Sequence, residues 1–260
     1  AELPCVVVNV MRGGPGLGTI QPSQGDYFQT IKGGGHGDYK NIVLAPASAQ
    51  DMYDFVDLAF ELAFKYRNPA IILGDGVIGQ MMEKVELKPA KARRTEAEIR
   101  ELCDSWATIG NVGRKGNTIT SLSLDPEYQE QFNIKLQKKY AEIEENEVRY
   151  ETYMAEDAEH LIVAFGCMSR IGEAVVDLAR ERGIKLGLLR PITLFPFPKK
   201  AIDALVPQLK SVLSLELNAG QMVEDIRLIV NGRIPVNFYG RQGGMIPDPE
   251  EILEVFLKTI

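Results

Sequence analysis

The sequence predicts an α/β protein, with two parallel-sheet units in series joined by a segment of different character. Two observations carry the prediction. Short apolar runs rich in β-branched residues alternate with stretches of helical periodicity, over residues 5–80 and again over 160–257. Most of the runs end in glycine-bearing turns, the places where such sheets bind ligands. Residues 86–156 lose the alternation, so the expected division is 1–85, 86–156 and 157–260.

The first unit opens on residues 5–11 (CVVVNVM), an apolar run of the kind that suits a strand buried on both faces. Arg12 follows, then Gly13, Gly14, Pro15, Gly16 and Gly18, four glycines in six residues that let the backbone turn sharply and pass close to a ligand. A guanidinium at that turn points to an anionic guest, because its planar fork of donors matches a carboxylate or a phosphate. Residues 19–24 (TIQPSQ) are either a polar turn or a set of ligand hydrogen-bonding groups. Residues 26–31 suit a short helix before a second glycine cluster at 33–38 (GGGHGD). Within it His36 is either a solvated loop residue or an acid, base or donor acting near neutral pH.

Residues 41–45 (NIVLA) read as a strand ended by Pro46, and Ser48 with Asp51 three residues on reads as a helix start. Met52, Phe55, Val56, Ala59, Ala63 and Tyr66 recur at helical spacing until Asn68 and Pro69 stop the helix. A strand at 70–73 completes a βαβ unit. Over 86–156, polar and glycine-rich stretches precede a helix signalled by Asp125, Pro126 and Glu127. Phe132, Leu136, Tyr140, Ile143 and Tyr150 give that helix one apolar face, expected to pack across a domain or partner surface.

The second unit reads as a strand at 161–165 and a helix with Ser169 as a candidate cap. A strand at 186–189, the segment 190–198 (RPITLFPFP) and a helix to Leu205 follow. A strand at 212–215, the turn 216–221, a helix at 222–230, a strand at 236–239, the turn 240–244 and a terminal helix begun by Asp248 and Pro249 complete it. Arg190, Glu216 and Arg241 sit at strand ends, where structure or subunit contact is favoured over chemistry. His160 reads as structural.

The formal charge of −7 comes with no Lys/Arg cluster, which argues against nucleic-acid binding. No apolar run approaches the roughly 20 residues of a membrane span, so no membrane partner and a cytoplasmic location are expected. Cys5, Cys103 and Cys167 are far apart, without a Cys-x-x-Cys pair or zinc-type His spacing, so no metal or iron–sulfur site is expected in this chain. The glycine clusters match neither a dinucleotide fingerprint nor a P-loop. The turn Gly74-Asp75-Gly76 opens like the magnesium motif of thiamine-diphosphate enzymes. The closing asparagine pair is missing, since Asn111 is the next asparagine and is single. Asp75 is then a strand-end turn residue. An opening without Met, almost at once on a strand, gives the expectation of a fragment.

Several stretches together carry a resemblance: residues 12–26 (RGGPGLGTIQPSQGD), 36–39 (HGDY), 44–46 (LAP), 190–198, Glu216-x-Asn218-x-Gly220-Gln221 and Gly240-Arg241-x-Gly243-Gly244. In them the chain resembles the α subunit of 2-oxoacid:ferredoxin oxidoreductases, most closely the 2-ketoisovalerate (branched-chain) type, with the 2-oxoglutarate type as the alternative. The resemblance implies part of a pyrimidine-type thiamine-diphosphate-binding domain followed by a transketolase C-terminal-like domain. It implies oxidative decarboxylation of a 2-oxoacid, transfer of the acyl group to coenzyme A and reduction of ferredoxin. Thiamine diphosphate would be shared with a β subunit that carries Mg and an iron–sulfur cluster, and γ or ferredoxin-like subunits would complete the assembly.

By the same resemblance Arg12 binds the 2-oxoacid carboxylate, and Gly13, Gly14, Ser23, Gln24 and His36 lie near the cofactor, with no catalytic or metal-binding residue assigned. The family's Tyr-Pro-Ile-Thr-Pro segment and the glutamate that activates thiamine precede the matched stretch and have no counterpart here. An N-terminally truncated subunit, inactive alone, is therefore expected. A non-catalytic assembly subunit and a free-standing nucleotide-binding α/β protein are the rivals from other classes.

Overall fold

The computed structural model describes residues 1–89 and 92–260, so the centre of the polar stretch 86–94 lies outside the described residues. The first part of the chain forms β1 (Cys5–Met11), α1 (Tyr27–Ile31), β2 (Ile42–Leu44), α2 (Ala49–Tyr66), β3 (Pro69–Asp75), α3 (Gly76–Gln80), α4 (Glu96–Cys103) and α5 (Pro126–Asn146). The rest forms β4 (Tyr150–Tyr153), β5 (His160–Val163), α6 (Cys167–Glu181), β6 (Leu186–Pro191), β7 (Thr193–Phe195), α7 (Lys199–Leu205), β8 (Ser211–Glu216), α8 (Met222–Val230), β9 (Val236–Gly240) and α9 (Pro249–Leu257). Strands and helices alternate as the periodicity predicts, and they build two sheets, ordered β1-β3-β2-β7 and β4-β6-β5-β8-β9.

In the first sheet β1, β3 and β2 run parallel, and Met11 pairs with Asp75, so the turns after β1 and β3 lie side by side. Ser48 caps α2 by accepting from the Asp51 amide at 3.0 Å, a contact worth about 1 kcal/mol. In the second sheet β6, β5, β8 and β9 run parallel, with β4 antiparallel on the edge. One cluster of the apolar core runs through both units and a second packs α6 and α9 on the second sheet; in the first, Tyr27 is fully buried, its ring centroid 5.8 Å from that of Phe165, and its hydroxyl donates to Asp225 at 2.8 Å.

Five expectations need correction. Ser169 does not cap α6: the helix starts at Cys167 with Gly166 as its N-cap, and the Ser169 hydroxyl donates to the Gly166 carbonyl at 2.8 Å from within the first turn. The β1 strand is not buried on both faces. Among the described residues it pairs with β3 alone, and Val7, Val8 and Val10 keep 47, 53 and 44% of their surface. Apolar composition alone does not decide whether a strand sits inside a sheet or at its edge. The long helix stops at Asn146, and Tyr150 opens β4, because pairing with β6 takes over the backbone hydrogen bonds there. The segment 190–198 is not confined to the second unit, since Thr193 and Phe195 pair with Leu44 and Val43 and tie β7 to the first sheet. The polar stretch before α5 also contains α4, started by a full capping box between Thr95 and Glu98.

Candidate active site at the junction of the two units

The carboxyl end of β1 and the turns after β8 and β9 enclose a cavity of about 550 Å³, lined by Asn9, Arg12–Gly16, Ser23, Asp26, Asn218, Gln221 and Gln242 among others. Its walls follow from the glycines. The backbone leaves β1 through an antiparallel bridge between Arg12 and Pro22, and the Gly13 amide donates to the Gln21 carbonyl at 2.8 Å. Gly18 has φ +53, and a Cβ there would lie 1.7 Å from the Gly13 carbonyl oxygen, so the turn closes only with glycine. Thr19 Oγ1 donates to the Gly243 carbonyl at 3.1 Å, which fastens this turn to the turn after β9.

Arg12 lines the cavity on an exposed stretch, and its guanidinium has no hydrogen-bond or ion-pair partner among the described residues. Gly13 and Gly14 line the same wall. A Cβ on Gly14 would meet nothing nearer than the Gly16 nitrogen at 3.9 Å, so the missing side chain leaves open space beside the arginine. Ser23 also lines the cavity, but its hydroxyl donates to the Leu217 carbonyl at 3.1 Å. Asp26 accepts from Asn9 Nδ2 at 3.0 Å and brings the one carboxylate among the described residues of the lining.

Gln24 is placed differently. It is fully buried between the units. Nε2 donates to the Phe165 carbonyl at 2.8 Å, Oε1 accepts from the Leu217 amide at 3.1 Å, and the Gln24 amide donates to the Leu217 carbonyl at 2.8 Å. Its carbonyl accepts from Asn218 Nδ2 at 2.9 Å. The structure thus spends Gln24 on joining the two units, next to the cavity wall rather than on it. His36 stands in the exposed 33–38 loop with φ +58 and does not line the cavity.

The other charged strand-end residues are engaged in structure. Glu216, wholly buried, accepts from the amides of Gln221, Met222 and Val223 at 3.1, 2.9 and 2.9 Å and so caps α8. Arg190 pairs with Asp51 and, at 2.7 Å, with Glu151, while Arg241 pairs with Glu251 at 2.6 Å. Asp75 Oδ1 accepts from Val77 and Ile78 at the start of α3, and Oδ2 accepts from the Cys167 amide at the start of α6 at 2.8 Å. Burial, and then the Asp75 carboxylate, push the Cys167 thiol well up, away from thiolate chemistry. Burial pushes the His160 ring down, and its Nδ1 pairs with Ser211 Oγ at 2.8 Å. Among the described residues no three His, Cys, Asp or Glu side chains are placed to share a metal ion, and no helix is long and apolar enough to cross a membrane.

Sequence reasoning missed Asn9, Asp26 and Gln242 as cavity residues. The one available signal was Asn9, a lone polar residue inside an apolar strand.

Residues 1–152 match the family "Pyruvate flavodoxin/ferredoxin oxidoreductase, thiamine diphosphate-binding", and 158–252 match "Pyruvate:ferredoxin oxidoreductase core domain II". Ketoisovalerate oxidoreductase subunit VorB of Methanothermobacter marburgensis is 51% identical over 97% of this chain and 70% of its own length. The 2-oxoglutarate synthase subunit KorA of Methanothermobacter thermautotrophicus is 32% identical over 99% of this chain and 74% of its own. Among solved structures, a chain of the 2-oxoglutarate:ferredoxin oxidoreductase of Magnetococcus marinus, with 2-oxoglutarate, coenzyme A and succinyl-CoA bound, superposes with a TM-score of 0.80 at 25% identity. It covers 99% of this chain, which spans 49% of that one. On both family matches and on relatives of this identity and coverage, the chain belongs to the 2-oxoacid:ferredoxin oxidoreductase family.

Proposed function

We propose that this chain supplies the 2-oxoacid-binding part of a ketoisovalerate oxidoreductase, a complex that converts the branched 2-oxoacid and coenzyme A to acyl-CoA and CO2 while reducing ferredoxin. The observation that carries the reading is Arg12, a guanidinium without a partner among the described residues, at the mouth of a cavity built by glycines at a strand end. A bidentate arginine–carboxylate pair is worth about 1.5–3 kcal/mol, enough to orient a substrate this small. Arg12 is the only Lys or Arg among the described residues of the lining, and Asp26 contributes a negative charge. That balance favours a monocarboxylate over 2-oxoglutarate, whose second carboxylate would lack a cation. The 51% identity to VorB supports the same choice.

Thiamine diphosphate, shared with a β subunit, would supply the nucleophilic carbon and the electron sink of the decarboxylation. The open space at Gly14 and the glycine wall suit close approach of such a group, and Gly13 and Gly14 would flank it while Arg12 holds the substrate carboxylate. The reading puts Mg and the iron–sulfur cluster on the partner subunit. Asp75, the residue nearest in pattern to a magnesium ligand, has both oxygens occupied by helix amides. In the proposed assembly, γ or ferredoxin-like subunits accompany the β subunit in the cytoplasm, and ferredoxin accepts the electrons. In the assembled complex, Arg12→Ala is expected to lower kcat/KM for ketoisovalerate by about tenfold or more. Unchanged kinetics would overturn the assignment.

A further inference from the structure

The cavity's polar side chains divide into two groups. Most are spent on its walls. Ser23 donates to the Leu217 carbonyl and accepts from the Gly25 amide. Asn218 donates to the Gln24 carbonyl and accepts from the Gly220 amide, and Gln221 accepts from the Phe28 amide and donates to the Gly25 carbonyl. Asn9 and Asp26 pair with each other. Among the described residues, the side chains of Arg12 and Gln242 are left without a partner, one from each unit.

Gln242 is exposed, and an exposed carboxamide on a mobile loop would need no explanation beyond water. Its turn is braced, however. Gly243 accepts from Thr19 of the Arg12 turn at 3.1 Å. A Cβ on Gly244 would lie 2.1 Å from Gln21 Cβ, so the two turns touch backbone to side chain with no room to slide. On the other flank Arg241 and Tyr239 both bond Glu251 of α9, at 2.6 and 2.5 Å. A free side chain on a fixed turn, lining the same cavity as a free arginine on the turn it touches, is pre-organised for a ligand.

The chemistry of the two groups differs in a way that fits one ligand. A guanidinium suits a carboxylate, whereas a neutral carboxamide offers two N–H donors that pair with a neutral acceptor at little desolvation cost. A 2-oxoacid carries these two acceptors, carboxylate and 2-oxo oxygen, on adjacent carbons. We infer that Gln242 is a second substrate-binding side chain, contributed by the second unit, whose carboxamide donates to the 2-oxo oxygen of the acid that Arg12 holds by its carboxylate. The inference rests on the role of Arg12 proposed above.

The test uses the complete complex and three measurements on wild type, Arg12→Ala and Gln242→Leu. These are the KM for ketoisovalerate, the KM for coenzyme A, and the inhibition constant of isovalerate, which keeps the carboxylate and lacks the 2-oxo oxygen. Gln242→Leu is expected to raise the ketoisovalerate KM by about tenfold, leave the coenzyme A KM and the Tm in place, and leave isovalerate inhibition unchanged. Arg12→Ala should weaken both ketoisovalerate and isovalerate. If Arg12→Ala weakens both while Gln242→Leu changes nothing, or shifts all three constants together with Tm, the inference fails and the reading of Arg12 stands. If Arg12→Ala itself leaves both acids unaffected, the reading fails and the inference falls with it.

Discussion

Two turns lie side by side in the first sheet, after β1 and after β3, and each carries one charged residue among glycines. They use that charge in opposite ways. Asp75 is 1% exposed and divides its carboxylate between the first amides of α3 and the first amide of α6 in the other unit. The Arg12 side chain, from the neighbouring strand end, bonds nothing among the described residues and lines a cavity. The same local pattern therefore serves as a structural tie in one case and leaves an unpaired guanidinium beside a cavity in the other. What separates them is that helix amides converge on the Asp75 carboxylate, which accepts them, while no acceptor among the described residues reaches the Arg12 guanidinium.

Substitutions should separate the two turns, and the largest effect is expected at Asp75. Asp75→Ala removes the N-caps of two helices and leaves the buried Cys167 amide unpaired, a loss of about 3 kcal/mol. Urea unfolding measures it, and a loss below about 1 kcal/mol would make Asp75 dispensable and break the contrast. Gln24→Ala, which strands the Phe165 carbonyl and the Leu217 amide at the junction, should cost about 2 kcal/mol by the same measurement. Arg12→Ala should move stability by no more than about 0.5 kcal/mol while lowering kcat/KM about tenfold. A large stability loss there would place Arg12 with Asp75 as a structural residue.

The smallest effect sets the acid limit of these comparisons. Burial lowers the His160 pKa in the folded chain, so below the unfolded value of about 6.5 the unfolded chain binds more protons. This contribution is whole above that pH and is lost as pH falls toward the folded value. His160→Gln should flatten the pH dependence of urea stability as pH falls below about 6.5. An identical slope in the variant would assign the acid loss to other groups.

Much of the architecture was legible in the sequence because burial imposes a period on each element. Ser48 with Asp51, and Asp125 with Pro126, announced their helices by short-range chemistry that the structure reproduces. What escaped depends on long-range partners. Val7 and Val8 read the same whether their strand has one neighbour or two, and Tyr150 falls at helical spacing while bonding across to β6. The Arg12 turn was legible as a candidate site because glycines and a cation adjoin in sequence, and it does line the cavity. Asp26 and Gln242 were not, since they reach the cavity from positions 14 and 230 residues beyond Arg12. Gln24 illustrates the opposite hazard, because its side chain meets carbonyl and amide groups of the other unit that no local pattern reveals.

The central claim is that Arg12 is the open member of the pair, held ready for the carboxylate of a 2-oxoacid. A crystal structure of the assembled complex with ketoisovalerate tests it most directly. Both carboxylate oxygens are expected within about 3 Å of the Arg12 guanidinium. A substrate bound elsewhere, with Arg12 facing solvent or a subunit surface far from any cofactor, would contradict it and mark the chain as an assembly subunit.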